Sequence, residues 1–155
     1  MKRVIISGGF DPVHQGHLEM MRDAKKHGDY LICIVNNDNW LMNKKGFVFM
    51  PQDQRWVLLY SIKYVDDIIF THHKINDIDK SVCDSLIEIR NKYPEDEILF
   101  CNGGDRVRNN IPEVQVCKDM NIKMIFNIGG DKISSSSDLV YDACKKIFDK
   151  VIKNL

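Results

Sequence analysis

Two histidines three residues apart, His14 and His17, sit in the stretch GGFDPVHQGHLEM that runs from Gly8 to Met20. At the start of a helix that spacing turns both rings to one side. Gly8 and Gly9 let a ligand come close to the main chain, and Gly16, between the rings, leaves space against the backbone. A helix opening near Gly16 aims unpaired amides and a partial positive charge back into the loop. Phosphate binds well at such a place. An imidazole pair there can donate to phosphoryl oxygens and stabilise charge that builds in a transition state.

The elements that must position these residues follow from the apolar pattern. RVIIS is a short β-branched run ended by Gly8 and Gly9, and reads as a buried strand. Residues 17–27 read as a helix with Leu18, Met21 and Ala24 on one face and Gly28 as its stop. YLICIV is the second strand, and NNDNWLMNKKGFVFM reads as a loop. Pro51 opens a helix through residue 64, with Val57, Leu58 and Ile62 as its apolar face. DDIIF, EILFC and KMIFNI are the remaining strands. Helices are expected at 81–93, 112–121 and from Asp138 onward. Strands that are short continuous apolar runs and alternate with helices predict one α/β domain over residues 1–155: a parallel five-stranded sheet with helices on both faces. Ligands bind such sheets at the carboxyl ends of the strands, near a topological switch point. The loops after the first, fourth and fifth strands belong to that edge, and all three are rich in glycine, asparagine or serine.

GGFDPVHQGH matches the G-x-F-D-x-x-H-x-G-H signature of the cytidylyltransferase-like nucleotidyltransferases, directly after an N-terminal strand and opening a helix. ISSSS, Ile133 to Ser137, resembles that family's I-S-S/T-T element before the last helix, although serine is also the common residue of a plain helix cap. PQDQRW followed by YVDDII is similar to the family's P-x-x-x-R helix and V-D-x-V/I strand. Lys44 and Lys45 fall where the family keeps a phosphate-binding lysine. The match covers about 140 residues, and most of its density lies before Ile69. There are departures. Where glycerol-phosphate and choline-phosphate cytidylyltransferases carry R-T-x-x-I-S, this chain has GGDKIS, so Gly129 stands at the arginine position and Lys132 is the nearby cation. The loop NGGDR resembles the K-G-G-D of heptose-phosphate adenylyltransferases.

The resemblance implies a Rossmann-like enzyme that transfers a nucleoside monophosphate to a phosphorylated acceptor and releases pyrophosphate. CMP from CTP to a small phosphorylated polyol, sugar or alcohol is the expected reaction, and ATP-dependent adenylyl transfer of the heptose-phosphate type is the alternative. His14 is expected at the α- and β-phosphates, His17 on the leaving pyrophosphate, and Lys44 on the incoming or α-phosphate. Gly8, Gly9, Phe10, Asp11, Gly16, Gly104, Asp105, Lys132, Ser134, Ser135 and Ser136 are expected around the nucleotide, with Asp11 able instead to brace the loop. Lys45 and Arg55 are expected on the acceptor. Magnesium is expected to arrive with the triphosphate, with no metal site of the protein's own. A phosphate monoester is already largely ionised at neutral pH, so no general base is needed. The family habit implies a homodimer.

The whole chain limits the alternatives. With 22 basic and 22 acidic residues in 155, its formal charge is zero, which argues against nucleic acid or an anionic membrane as partner. An apolar fraction of 44% fits a packed domain. MKRVIISGGF holds too short an apolar run for a secretory leader, and no run reaches the length of a membrane span, so a cytoplasmic protein is expected. The five cysteines are scattered without a CxxC pair and read as reduced thiols. His72 and His73 read as loop residues, and Trp40 and Trp56 as core or interface. A Rossmann oxidoreductase would need GxGxxG after the first strand, which is absent. A nucleotide sensor of the same fold is disfavoured by intact His14, His17 and Lys44.

Overall fold

The computed structural model describes residues 1–104, 106, 111–131 and 133–154. Five strands, β1 (Lys2–Gly8), β2 (Tyr30–Val35), β3 (Asp67–Phe70), β4 (Glu97–Gly103) and β5 (Lys123–Ile128), form one sheet in the order β3-β2-β1-β4-β5. Every pairing is parallel. The helices are α1 (Gln15–Lys25), α2 (Asp38–Lys45), α3 (Gln52–Tyr60), α4 (Cys83–Lys92), α5 (Glu113–Asp119) and α6 (Ser136–Lys153).

Side chains alternate across the sheet with period two, and this alternation builds two cores. Val4 and Ile6 of β1 and Leu31, Cys33 and Val35 of β2 pack with Met21 and Ala24 of α1 and Leu59 of α3. Ile5, Ile32, Ile34 and Phe100 pack on the opposite face with Leu86 and Ile89 of α4 and Cys117 of α5. Helices therefore cover both faces, as the apolar runs predict. Cys33, Cys101 and Cys117 are buried, and burial pushes all three thiols up.

Two readings from the sequence are corrected. Residues 38–45 are not loop but α2. Asn37 caps it by accepting from the Trp40 amide at 2.9 Å, and Gly46 ends it in the left-handed region at φ 80°. Its weak apolar periodicity hid it, since Leu41 is its one buried residue. The face of α3 is also turned. Val57 and Leu58, expected inside, are 57% and 44% exposed, while Arg55 and Leu59 are wholly buried. The one cation of α3 therefore lies on its inward face.

The sheet order reverses between β1 and β4, so the loops leaving these neighbouring strands diverge and open a crevice at the carboxyl edge. None of the described helices is long and apolar enough to cross a membrane.

Candidate active site

The loop from β1 to α1 is bound down before any ligand arrives. Arg55, on α3, reaches across to it. Its Nη1 donates to the Gly9 carbonyl and to the Asn36 carbonyl, each at 2.7 Å. Its Nε donates to the Met50 carbonyl at 2.9 Å, and its Nη2 meets Asp38 Oδ1 at 2.7 Å. Asp11 performs the complementary task. One carboxylate oxygen accepts the Phe49 amide at 2.8 Å and the other the Met50 amide at 2.6 Å. Both side chains are buried and committed to main chain and to each other's segments. Arg55, expected on the acceptor, is thus turned onto main-chain carbonyls and Asp38, and Asp11 takes the bracing role that the sequence also allowed it. A guanidinium with five donors is the side chain best suited to tie three separate segments together.

Above this brace lie the two imidazoles. His14 is the N-cap of α1 with extended backbone, and its amide donates to His17 Nδ1 at 3.3 Å. The rings stack with centroids 3.8 Å apart and planes 21° apart. Phe10 lies beneath them, its ring edge-on to His17 at 4.9 Å. A methyl group added to Gly16 would come within 3.1 Å of the His14 ring, which would have to give by a few tenths of an ångström. Burial, then His14, then Lys45 push His17 down to about 3. It is neutral at physiological pH. Since Nδ1 accepts from the His14 amide, the proton rests on Nε2, and the ring is a donor without being a cation.

The loop from β5 to α6 closes the other side. Gly129, at φ 81°, crosses α1 so closely that a methyl group would sit 2.9 Å from the Met20 Cα. Its amide donates to Asp23 Oδ2 at 3.0 Å. Ser135 caps α6, its Oγ accepting the Asp138 amide at 3.4 Å. Ser136 Oγ donates to the Pro12 carbonyl at 2.8 Å and so joins the last loop to the first. These two loops, 124 residues apart in sequence, thus open on the same edge of the sheet.

Between them lies a cavity of about 280 Å³. Gly9, Phe10, His14, Gly16, His17, Gly104, Ser134, Ser135 and Ser136, all expected at the nucleotide, line it. Gly8 lies at the end of β1 behind it. Asp105 and Lys132 fall outside the described residues. The two adjacent lysines separate: Lys45 lines the cavity and Lys44 is exposed away from it. Burial is the main influence on the Lys45 ammonium and pulls it below its ordinary range, against the opposing charge of Asp11. Lys45 stands one turn beyond buried Leu41, a phase that became visible only once α2 was known to be a helix. Trp40, expected in core or interface, also lines the cavity, with its indole N–H donating to the Lys80 carbonyl at 2.9 Å. Met20 and Ile133 were missed, because an apolar residue at a cavity wall leaves the same sequence signal as one in a core. His73 is buried in its loop and its carbonyl accepts from Asn37 and Asn39. His72 is exposed, 3.3 Å from Glu88.

A parallel sheet with a glycine-, histidine- and serine-lined cavity at its switch point places the chain among Rossmann-like α/β domains. It belongs to the cytidylyltransferase-like family, whose model matches residues 5–150. Over 69 residues it is 42% identical to the glycerol-3-phosphate cytidylyltransferase of Staphylococcus aureus, a match covering 44% of this chain and 52% of that protein. Over 69 residues it is 39% identical to the FAD synthase of Ferroglobus placidus, covering 44% of this chain and 45% of that one. The chain therefore spans about half the length of these two relatives. The FAD synthase of Methanocorpusculum labreanum aligns over 151 residues at 26% identity, covering 94% of this chain and 98% of its own. In three dimensions the lipopolysaccharide core biosynthesis protein from Thermoplasma volcanium superposes with a TM-score of 0.64 at 24% identity, covering 82% of this chain and 96% of that one, which shows a shared fold.

Proposed function

We propose that this protein is a nucleotidyltransferase that moves CMP from CTP onto a small phosphorylated polyol, sugar or alcohol. The observation that carries this reading is the stacked His14–His17 pair at the start of α1, facing serines 134–136 across one cavity. An oxygen of the acceptor's phosphate attacks the α-phosphorus. A new P–O bond forms, the bond to the β-phosphate oxygen breaks, and pyrophosphate leaves. Such a transfer asks the protein for position and charge stabilisation, with no covalent step.

The residues divide that work. The β1–α1 loop and the N-terminus of α1 receive the α- and β-phosphates, with His14 alongside. Neutral His17 donates from Nε2 toward the leaving pyrophosphate. Serines 134–136 and the N-terminus of α6 hold its far end. Lys45, at the cavity wall, supplies the positive charge that the sequence reading had assigned to Lys44. Magnesium arriving with the triphosphate would supply charge neutralisation at its phosphates. Asp11, the carboxylate of the first loop, is already occupied by two amides, and no group of three or more His, Cys, Asp or Glu among the described residues is placed to hold a metal.

CTP is preferred because the densest similarity, the stretch before Ile69, runs in step with small cytidylyltransferases. Adenylyl transfer from ATP is the second reading, favoured by the NGGDR loop after β4. A thermal-shift panel of CTP, ATP, UTP and GTP with magnesium separates them. The bound triphosphate raises the midpoint by mass action, and pyrophosphate release on adding phosphorylated acceptors then identifies the partner. CTP is expected to give the largest shift. Equal, negligible shifts with all four would end the proposal, and a shift confined to ATP would transfer it to the second reading.

A further inference from the structure

Trp40 lies in a place that core packing does not explain. Its ring is half-buried, packs into neither of the two cores and lines the cavity instead. It is also held still. Its indole N–H donates to the Lys80 carbonyl at 2.9 Å. The helix that carries it is fastened to the same loop after β3. Asn37 donates to the His73 carbonyl at 2.9 Å, Asn39 to that carbonyl at 3.0 Å, and Asn43 to the Lys74 carbonyl at 2.8 Å. Lys45, on the same helix, lines the same cavity. Among the described residues lining it, Lys45 is the one ammonium, and the one carboxylate, Asp131, belongs to the β5–α6 loop.

We infer that Trp40 is a specificity-determining residue for the acceptor, a fixed platform that selects a phosphorylated sugar ring, a role that rests on the nucleotidyl transfer proposed above. The direction of attack brings the acceptor to it. In an in-line displacement the attacking and leaving oxygens lie on opposite sides of the phosphorus. Serines 134–136, at the leaving pyrophosphate, follow β5, whereas α2 follows β2, and β2 and β5 lie on opposite sides of β1 in the sheet. The acceptor therefore comes in along α2. There Lys45 meets its phosphate and Trp40 its carbon skeleton. An indole face is electron-rich, and a rigid aromatic ring loses little entropy on binding. It suits the C–H face of a sugar ring, whereas an open three-carbon chain has no flat face to lay on it. A quaternary ammonium is also drawn to an indole, but Lys45 on the same helix repels it. The five-residue step from Trp40 to Lys45 rises about 7.5 Å along the axis. That seats a ring bearing its phosphate directly, and is short for a ring carried on a long chain.

Trp40 and Trp56 are the two tryptophans of the chain. Trp56 is exposed on α3 and stacked on Tyr60, so Trp56→Phe leaves Trp40 as the sole indole emitter. That variant is titrated, with magnesium and an α,β-methylene analogue of CTP or ATP, with glucose 1-phosphate, mannose 1-phosphate, glycerol 3-phosphate, phosphocholine and flavin mononucleotide. The sugar phosphates are expected to change the emission saturably, at concentrations about tenfold or more below those the other phosphates need. Trp40→Leu is expected to raise the sugar-phosphate KM about tenfold, with kcat, triphosphate affinity and melting temperature little changed. Trp40→Phe, which keeps a ring but loses the bond to Lys80, is expected to recover most of that loss. Should Trp40→Leu fail to fold, the fluorescence titration still decides. No response to the sugar phosphates, or equal responses to all five, overturns the role. So does a response to the triphosphate analogue alone, which would put the base on the indole, or one confined to flavin mononucleotide, which would give the platform to a planar heteroaromatic ring. Turnover whose sugar-phosphate KM ignores Trp40→Leu defeats this role only. Failure of every triphosphate to bind and to release pyrophosphate defeats the nucleotidyl transfer itself, and this role with it.

Discussion

The first and last loops of the chain line the same cavity but are held very differently. The β1–α1 loop is fastened from beneath by the buried Arg55 and Asp11, whose six hydrogen bonds reach Gly9, Asn36, Asp38, Phe49 and Met50. The β5–α6 loop is fastened to the rest of the domain through the Gly129 amide on Asp23 and the Ser136 hydroxyl on Pro12. Among the described residues, one wall is thus held by six such bonds and the other by two. Preorganisation matters most where charge develops in the transition state. The rigid wall carries the histidines, and the lightly tied wall carries the hydroxyls that would hold a departing group.

The comparison breaks most sharply at Arg55. Replacing it with alanine takes the donor from the Gly9, Asn36 and Met50 carbonyls and the partner from Asp38, whose side chain is 36% exposed. With the carbonyls left unsatisfied, we expect a loss of about 3–5 kcal/mol, and a melting temperature lower by on the order of 10 °C. Calorimetry or urea unfolding measures it. A stable Arg55→Ala protein with weakened acceptor binding would instead return Arg55 to the substrate side.

On the rigid wall, His14→Ala and His17→Ala should each lower turnover roughly 10²–10³-fold, read by pyrophosphate release. The buried ring of His17 also leaves a mark on stability. Unfolding restores it to its ordinary 6.5 from about 3 in the fold. Between those values the unfolded chain binds a proton that the native chain does not, so stability falls as pH drops from 6.5 toward 3. His17→Gln should flatten that acid limb. An unchanged limb would show that the ring is more hydrated than its packing implies.

The lysines sharpen the contrast further. Lys45→Ala should weaken triphosphate binding about tenfold or more, the loss of one hydrogen bond to a charged group, while Lys44→Ala should stay within about twofold. Titration calorimetry with both variants decides, and equal effects would mean that α2 rotates or unwinds on binding. The smallest effect is expected at the lightly tied wall. Ser136→Ala should cost about 1 kcal/mol of stability and raise KM more than it lowers kcat. A cost as large as that of Arg55→Ala would erase the distinction between the two walls.

Much of this architecture was legible in the chain. All five strands were, because short β-branched runs bounded by glycine or polar loops have few other uses. The histidine pair and the serine run were legible because both sit directly after strands, and in a parallel sheet those positions converge on one edge. Helix α2 left a readable start sign in Asn37 and a stop sign in Gly46, but one buried leucine was too little to mark its face. Trp40, Met20 and Ile133 were hidden because cavity walls and cores recruit the same side chains.

The sequence by itself therefore determined the alternation of strand and helix, the edge on which the glycine, histidine and serine loops meet, and the phosphate chemistry those residues suit. These depend on residue type and local spacing. Only the tertiary structure decided that Arg55 points inward, that Lys45 and not Lys44 reaches the cavity, and that α6 stands bare of cover. Local spacing sets the phase of a helix only relative to itself. Which face turns inward depends on partners distant in sequence, and at Arg55 four hydrogen bonds from three segments outweighed the preference of a cation for water.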